Sequence, residues 1–153
     1  MRIIVPLIEQ IEPTSCWAAC LEMIYRYYNK SSKYLQKFLI GEYFSGLKST
    51  EEIKQILTMN GGYHYTKDED QLILSEDQIK SEINANRPIM VGVLTADRQE
   101  GHSMLAIGYE TDPFQLIIND PKDGTEKIFP YDKDSGIIYG NMNWQDTIYG
   151  IRP

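Results

Sequence analysis

The sequence has no excess of basic residues, and its apolar runs are short. Its 15 lysines and arginines are outnumbered by 22 aspartates and glutamates, which gives a formal charge of −7. A nucleic-acid-binding protein needs a basic face to displace counterions from phosphates, so this charge argues against that class. No apolar run approaches the length of about 18 residues that a membrane-spanning helix needs. We therefore expect neither a nucleic-acid partner nor insertion into a membrane.

Cysteine and histidine are scarce: the chain has only Cys16 and Cys20, and only His64 and His102. A spacing of four places both thiols on one face of a helix, which is poor disulfide geometry. Free thiols fit a reducing compartment. The segment Met1–Gln10 has neither the apolar region nor the cleavage site of a secretory signal peptide. The sequence therefore predicts a cytoplasmic protein, or one secreted by a route that does not use a signal peptide.

The spacing of apolar residues changes character about halfway along the chain of 153 residues. In the first half, apolar residues recur at helical spacing, and the capping-box patterns Ser49–Glu52 and Ser75–Gln78 open two helices. The second half has short apolar runs that are typical of strands. These runs are Ile89–Leu94, Met104–Tyr109, Gln115–Ile118, Phe129–Tyr131, Gly136–Tyr139 and Thr147–Ile151. The order predicts one α+β domain over residues 1–153, built of two packed layers.

The first helix is predicted to begin at Cys16 and to run through the core. An extended strand or arm over Arg2–Ile8 and a turn precede it, and Thr14 or Ser15 is placed to cap it. The segment Cys16–Tyr25 is apolar nearly all round, as expected of a buried helix.

A thiol at the start of a helix is a candidate nucleophile. The helix dipole and the free N–H groups of the first turn favour the thiolate, which is the reactive form. Free cysteine is more often an inert core residue, which is the competing interpretation of Cys16. Its place at the helix start, followed by Trp17, favours the nucleophile. Cys20 lies one turn further along and is predicted to be a core residue.

His102 is the candidate base for this thiol. It stands directly before the strand Met104–Tyr109, at a strand edge where a base can face a helix start across a cleft. An incidental loop histidine is the alternative interpretation. His64 lies in a polar stretch, which favours a surface position.

Two residues compete for the place beside His102. If Gln115–Ile118 pairs with Met104–Tyr109 through a tight turn, the chain returns to the level of His102 at Asn119 and Asp120. Side chains alternate along a strand, so only one of the two faces the imidazole. The alternative interpretation is a turn that simply ends the strand.

Four motifs follow one another in an order that is specific, although each alone is weak. They are Gln10, Thr14-Ser15-Cys16-Trp17-Ala18-Ala19-Cys20, Gly101-His102-Ser103-Met104, and Ile118-Asn119-Asp120-Pro121. The set resembles papain-like cysteine peptidases, in particular their compact bacterial C39-like and AvrRpt2-related branch, from Gln10 to about Gly124. The resemblance implies a papain-like α+β fold, in which an N-terminal helical half packs on a C-terminal antiparallel sheet.

The resemblance also implies a role for each residue of the site. It makes Cys16 the nucleophile, and it makes His102 first the general base and then the general acid. Asp120 orients His102, with Asn119 as its rival because the large papain enzymes use asparagine there. Gln10 supplies an oxyanion hole together with the backbone N–H of Cys16.

The same resemblance places Trp17 and Gly101 against a peptide or protein substrate, and it implies neither a metal nor any other cofactor. We expect the tyrosine-rich segments Tyr27–Gly46 and Asp123–Trp144 to line the cleft.

The sequence thus predicts a cysteine peptidase that hydrolyses a peptide or isopeptide bond through a Cys-His-Asp acyl-enzyme mechanism. An acyltransferase is a close variant, in which an amine replaces water. A papain-fold domain that only binds peptides is another alternative, but it has no need of all four residues. A metal or redox site on Cys16 and Cys20 has too few ligands for zinc, and it lacks the Cys-x-x-Cys spacing of thioredoxin-like proteins.

Overall fold

The computed structural model describes residues 1–28, 35–43, 46, 48–59, 64–66 and 73–153. Over these residues the chain forms four helices and seven strands, in agreement with the predicted α+β class. The helices are α1 (Cys16–Tyr27), α2 (Gln36–Tyr43), α3 (Thr50–Met59) and α4 (Glu76–Asn84). The strands are β1 (His64–Thr66), β2 (Ile89–Leu94), β3 (Gly101–Glu110), β4 (Gln115–Asp120), β5 (Thr125–Pro130), β6 (Ile138–Tyr139) and β7 (Met142–Arg152). None of the helices in the described ranges has the length and apolar character needed to cross a membrane.

The strands form an antiparallel sheet in the order β1-β7-β2-β3-β4-β5, and β6 pairs with β7 outside this path. β2 has the predicted bounds, and the other predicted strands overlap observed ones with shifted ends. Their ends shift because cross-strand partners, more than local propensity, decide where a strand stops. β1 has no counterpart among the predicted strands, since three residues at a sheet edge carry little sequence signal. The predicted surface position of the His64 side chain lies outside what the structure describes.

Helix α1 is buried on every side, as its apolar sequence predicts. Each residue from Cys16 to Tyr25 is buried, and the helix packs against β3. Ala18 and Ala19 are fully buried, and their small side chains allow the helix to lie close to its neighbours. This packing sets the start of α1 beside the start of β3, where the candidate site lies.

Ser15 occupies the N-cap position of α1, but its side chain makes no capping hydrogen bond to the helix. Its hydroxyl instead closes the preceding turn, accepting from the Glu12 N–H at 3.0 Å and donating to the Glu12 carbonyl at 3.1 Å. The predicted cap from Thr14 or Ser15 is therefore wrong, because this turn already uses the serine hydroxyl. In contrast, α4 begins with the predicted capping box between Ser75 and Gln78.

The N-terminal arm lies antiparallel to β3, as expected of an extended segment over Arg2–Ile8. The Ile3 N–H donates to the Ile107 carbonyl at 2.9 Å. A Cβ on Gly108 would stand 2.7 Å from the Met1 carbonyl oxygen, so glycine is needed for this close approach. The arm leads into the loop that carries Gln10 and ends at α1.

Candidate active site

Cys16 is the first residue of α1 and lies against the start of β3. Its side chain is only 4% exposed, and the Ser103 N–H donates to its Sγ at 3.4 Å. His102, the residue before Ser103, lies close enough to the thiol to lower its pKa. The packing of α1 on β3 thus brings together a thiol and an imidazole, the pair that an activated cysteine nucleophile needs.

Asp120 holds the other side of the His102 ring. His102 Nε2 and Asp120 Oδ1 lie 2.7 Å apart, and Asp120 is fully buried. Because Nε2 is committed to the carboxylate, Nδ1 is the ring nitrogen left for the thiol of Cys16. The imidazole of His102 therefore lies between the thiol of Cys16 and the carboxylate of Asp120.

A β-bulge decides which of the two competing residues faces His102. β3 and β4 pair antiparallel, but their register shifts by one residue between Ala106 and Gly108. An unshifted register would put Asn119 on the same face of the sheet as His102, because side chains alternate along each strand. The bulge reverses this, so Asp120 shares the face of His102.

Asn119 points to the opposite face. Its side chain is buried, and Nδ2 donates to the Val5 carbonyl at 3.4 Å and lies 3.7 Å from Met23 Sδ. It therefore ties the N-terminal arm to α1 and the sheet, away from the imidazole.

The Asp120 carboxylate accepts four hydrogen bonds. Oδ1 accepts from His102 and, at 3.0 Å, from the Lys122 backbone N–H. Oδ2 accepts from Lys127 Nζ at 2.5 Å and from the Tyr139 hydroxyl at 2.8 Å. The Tyr139 ring also stacks on the imidazole, with the ring centres 5.3 Å apart and the planes 25° apart. The carboxylate and the imidazole are thus held in one orientation.

Neither Lys127 nor Tyr139 is among the predicted site residues. A signal for Lys127 does exist in the sequence, because a tight hairpin pairs Asp120 with Thr125 and places the residue two positions later on the same face. No local pattern links Tyr139 to Asp120, since the two residues lie on separate strands that are not neighbours in the sheet.

The contacts of the three residues shift their pKa values in a consistent way. Burial raises the pKa of the Cys16 thiol, but the hydrogen bond and charge of His102 and the Ser103 N–H outweigh it, so the pKa is lowered. Burial lowers the pKa of His102, yet Asp120 and Cys16 raise it to about 9. Burial also raises the pKa of Asp120, but the hydrogen bonds from His102 and Lys127 hold it well below its usual range. The three shifts together favour a thiolate–imidazolium pair beside an ionised carboxylate.

The thiol and the imidazole line a cleft with a volume of about 580 Å³. Trp17 and Gly101, the predicted substrate contacts, line it as well. The remaining lining residues come from α3 and the residues just before it, from β2, from the β2–β3 connection, from Ser103 of β3 and from β7. No residue of Asp123–Trp144 lines the cleft, so that part of the prediction is wrong; no described residue of Tyr27–Gly46 lines it either, and residues 29–34, 44 and 45 lie outside the described ranges.

Comparison with known families identifies the class of this site. The family model described as the Peptidase_C39 like family matches residues 2–147. The chain belongs to this C39-like peptidase family. No curated protein matches the chain. Family membership supports a cysteine peptidase in general terms, and the matched range includes Cys16, His102 and Asp120.

Gln10, the predicted oxyanion donor of the C39-like site, lies in the loop before α1. Its Nε2 donates to the Glu12 and Pro13 carbonyls, each at 3.0 Å, so both amide hydrogens are engaged. Its backbone N–H donates to the Pro121 carbonyl at 2.7 Å. Gln10 is not among the cleft-lining residues. Among the described residues, its buried Oε1 has no hydrogen-bond partner.

Cys20 of the C39-like chain lies outside the cleft. It is fully buried in the hydrophobic core, and burial, with the charges of Cys16 and Asp120, raises its pKa well above the ordinary value. In the described part of the chain, no group of three or more His, Cys, Asp or Glu side chains is arranged to hold a metal ion.

Proposed function

We propose that this C39-like chain is a papain-like cysteine peptidase that hydrolyses a peptide or isopeptide bond through a thiol acyl-enzyme. One observation carries the proposal: at the edge of a cleft, the His102 imidazole lies between the Cys16 thiol, whose pKa it lowers, and the buried carboxylate of Asp120, to which it is hydrogen-bonded. The papain-like assignment also fits the family to which the chain belongs.

In the first half of the reaction, Cys16 is the nucleophile. Its thiolate attacks the carbonyl carbon of the substrate, a C–S bond forms, and the carbonyl oxygen becomes an oxyanion. The backbone N–H of Cys16 stands at the positive end of the α1 dipole and donates to this oxyanion. The His102 imidazolium then gives its proton to the leaving amine, the C–N bond breaks, and a thioester remains on the sulfur.

In the second half, the now neutral His102 is the general base. It accepts a proton from a water molecule whose oxygen attacks the thioester, the C–S bond breaks, and the thiolate–imidazolium pair is restored. Asp120 keeps the ring in place, because its bond to Nε2 leaves Nδ1 directed at the sulfur and the water.

Gln10 is the second oxyanion donor in this proposal. Its amide exchanges one of its bonds, to the Glu12 or the Pro13 carbonyl, for a bond to the oxyanion.

Peptide-bond cleavage by the full chain tests the proposal. Linear peptides with blocked amino groups, and branched peptides joined through a lysine side chain, are incubated with the protein, and new amino groups are mapped by mass spectrometry. We expect Cys16→Ala and His102→Ala to lose at least about 10³-fold in rate. The matched variant Cys20→Ala removes the other thiol and keeps a rate close to that of the wild type.

Cleavage by Cys16→Ala at the wild-type rate contradicts the proposal. So does a wild-type chain that cleaves neither kind of peptide and forms no thioester on Cys16. An added amine separates the two possible fates of the thioester, since hydrolysis releases an acid and acyl transfer releases an amide.

A further inference from the structure

Lys127 of β5 contacts the site but takes no part in the peptidase chemistry proposed above. Its Nζ lies 2.5 Å from Asp120 Oδ2, the carboxylate oxygen that does not contact His102. The same Nζ lies 3.0 Å from Asp123 Oδ2 and 5.6 Å from the centre of the Tyr139 ring. Asp120 is fully buried, so its charge acts strongly on both neighbours. A single carboxylate thus lies between two cations, one on each oxygen.

We propose that Lys127 is a positioning residue that shares the charge of Asp120 with His102 and thereby limits how tightly the imidazole holds its proton. The inference rests on the proposed function, because it concerns the histidine that moves protons in that reaction. With the lysine in place, Asp120 and Lys127 together present little net charge to the ring, much as a neutral amide does. Without it, the ring faces a full buried negative charge, which stabilises the imidazolium.

A limit on proton affinity matters because His102 has two opposite tasks. It must release its proton to the leaving amine and later take one from water. A ring that holds its proton too firmly performs the first task slowly and is seldom neutral for the second. Lys127 contacts Oδ2, the carboxylate oxygen that does not contact His102. Its positive charge weakens the negative field of Asp120 at the imidazole, while Oδ1 still accepts the hydrogen bond that orients the ring.

The hydrogen bonds of Asp120 show that Lys127 is not needed merely to hold the carboxylate in place. Oδ2 accepts from the Tyr139 hydroxyl as well as from Lys127, and Oδ1 accepts from the Lys122 N–H as well as from His102. The carboxylate is therefore oriented even without the lysine. What Lys127 adds is its positive charge.

Few other titratable groups of the described chain face Asp120 and His102. From α1 come Cys16, whose thiolate is the partner of the imidazolium, and Cys20, whose pKa is raised chiefly by burial. From the β4–β5 turn comes Asp123, whose side chain is 51% exposed and is therefore screened by solvent. From β6 comes Tyr139, whose pKa is also raised, by burial and by Asp120. Because their pKa values are raised, Cys20 and Tyr139 stay neutral in the pH range where His102 titrates.

An NMR titration of the His102 imidazole in the full chain tests the inference, and the chain has only two histidines to resolve. The wild-type midpoint is expected at about 9. Lys127→Met should raise it by about 0.5–1 pH unit, and Lys127→Gln, which keeps a donor but removes the charge, should do the same. Lys127→Arg should keep the wild-type midpoint. Lys133→Met, which removes an exposed lysine from the β5–β6 connection, is the matched control and should change nothing.

An unchanged or lowered midpoint in folded Lys127→Met or Lys127→Gln overturns the inference, and so does an equal rise in Lys133→Met. Failure of the proposed function has a different signature: peptide cleavage is absent, while the midpoint still responds to Lys127. Cleavage that depends on Cys16, together with a midpoint indifferent to Lys127, overturns the inference alone.

Discussion

Two successive turns of α1 carry the same side chain with its pKa shifted in opposite directions. In the first turn, Cys16 meets His102 and the Ser103 N–H, and its pKa is lowered although the thiol is buried. In the second turn, Cys20 is fully buried in the core and its pKa is raised well above the ordinary value. The residue type and the helix are shared, so the difference comes from the partners. A buried thiol is reactive where an imidazolium offsets the cost of burial, and inert where burial is not offset.

The largest effect that we expect is the difference in alkylation rate between these two thiols. At pH 6, iodoacetamide should modify Cys16 at least about 10³-fold faster than Cys20, because both the thiolate fraction and the position beside the cleft favour Cys16. Peptide mapping after timed labelling of the folded chain measures both rates. The denatured chain is the control, in which the two thiols should react similarly. Equal alkylation rates of Cys16 and Cys20 in the folded chain would contradict the inferred difference between the two thiols.

An Asp120→Asn substitution should reduce the difference in alkylation rate between Cys16 and Cys20. Loss of the carboxylate charge lowers the pKa of His102 from about 9, so less imidazolium is present to offset the burial of Cys16. We expect the alkylation rate of Cys16 at pH 6 to fall by about 10- to 100-fold, with no change for Cys20. Asp123→Asn, at an exposed carboxylate of the following turn, is the matched control and should leave both rates unchanged. An undiminished Cys16 rate in Asp120→Asn would show that the carboxylate does not support the ion pair.

The smallest effect concerns stability alone. Cys20→Ser should lower the free energy of unfolding by about 1–3 kcal/mol, because it places a hydroxyl in an apolar part of the core. The alkylation rate of Cys16 in the folded chain should stay the same. Urea unfolding and timed labelling measure the two quantities. A Cys20→Ser variant that keeps wild-type stability but slows Cys16 would mean that the second turn belongs to the site.

Much of the fold and part of the candidate site could be predicted from local patterns. The capping box at Ser75, the apolar run of β2 and the buried character of α1 each depend on residues that are neighbours in the chain. The ends of the other strands could not be predicted in the same way, and neither could β1, because pairing with distant strands determines them.

The N-cap of α1 shows a different limit. Ser15 has the residue type and the position of a cap, yet its hydroxyl bonds Glu12 in the preceding turn. Residue type and position predict the potential for a hydrogen bond, and the partner depends on the path of the whole loop. The amide of Gln10 shows the same limit. Its residue type predicts a hydrogen-bond donor, but the path of the loop determines that it donates to the Glu12 and Pro13 carbonyls.

Local sequence patterns are thus sufficient for the start of α1 at Cys16 and for the hairpin that returns the chain to the level of His102, since periodicity and turn signals act between near neighbours. The choice of Asp120 over Asn119 needed the folded sheet, because one extra residue at the bulge exchanges the two faces of β4. The contact of Tyr139 with the carboxylate, and the cleft lined by α3 and β7, also needed it. These features join separate segments of the chain, and packing of the whole core brings them together.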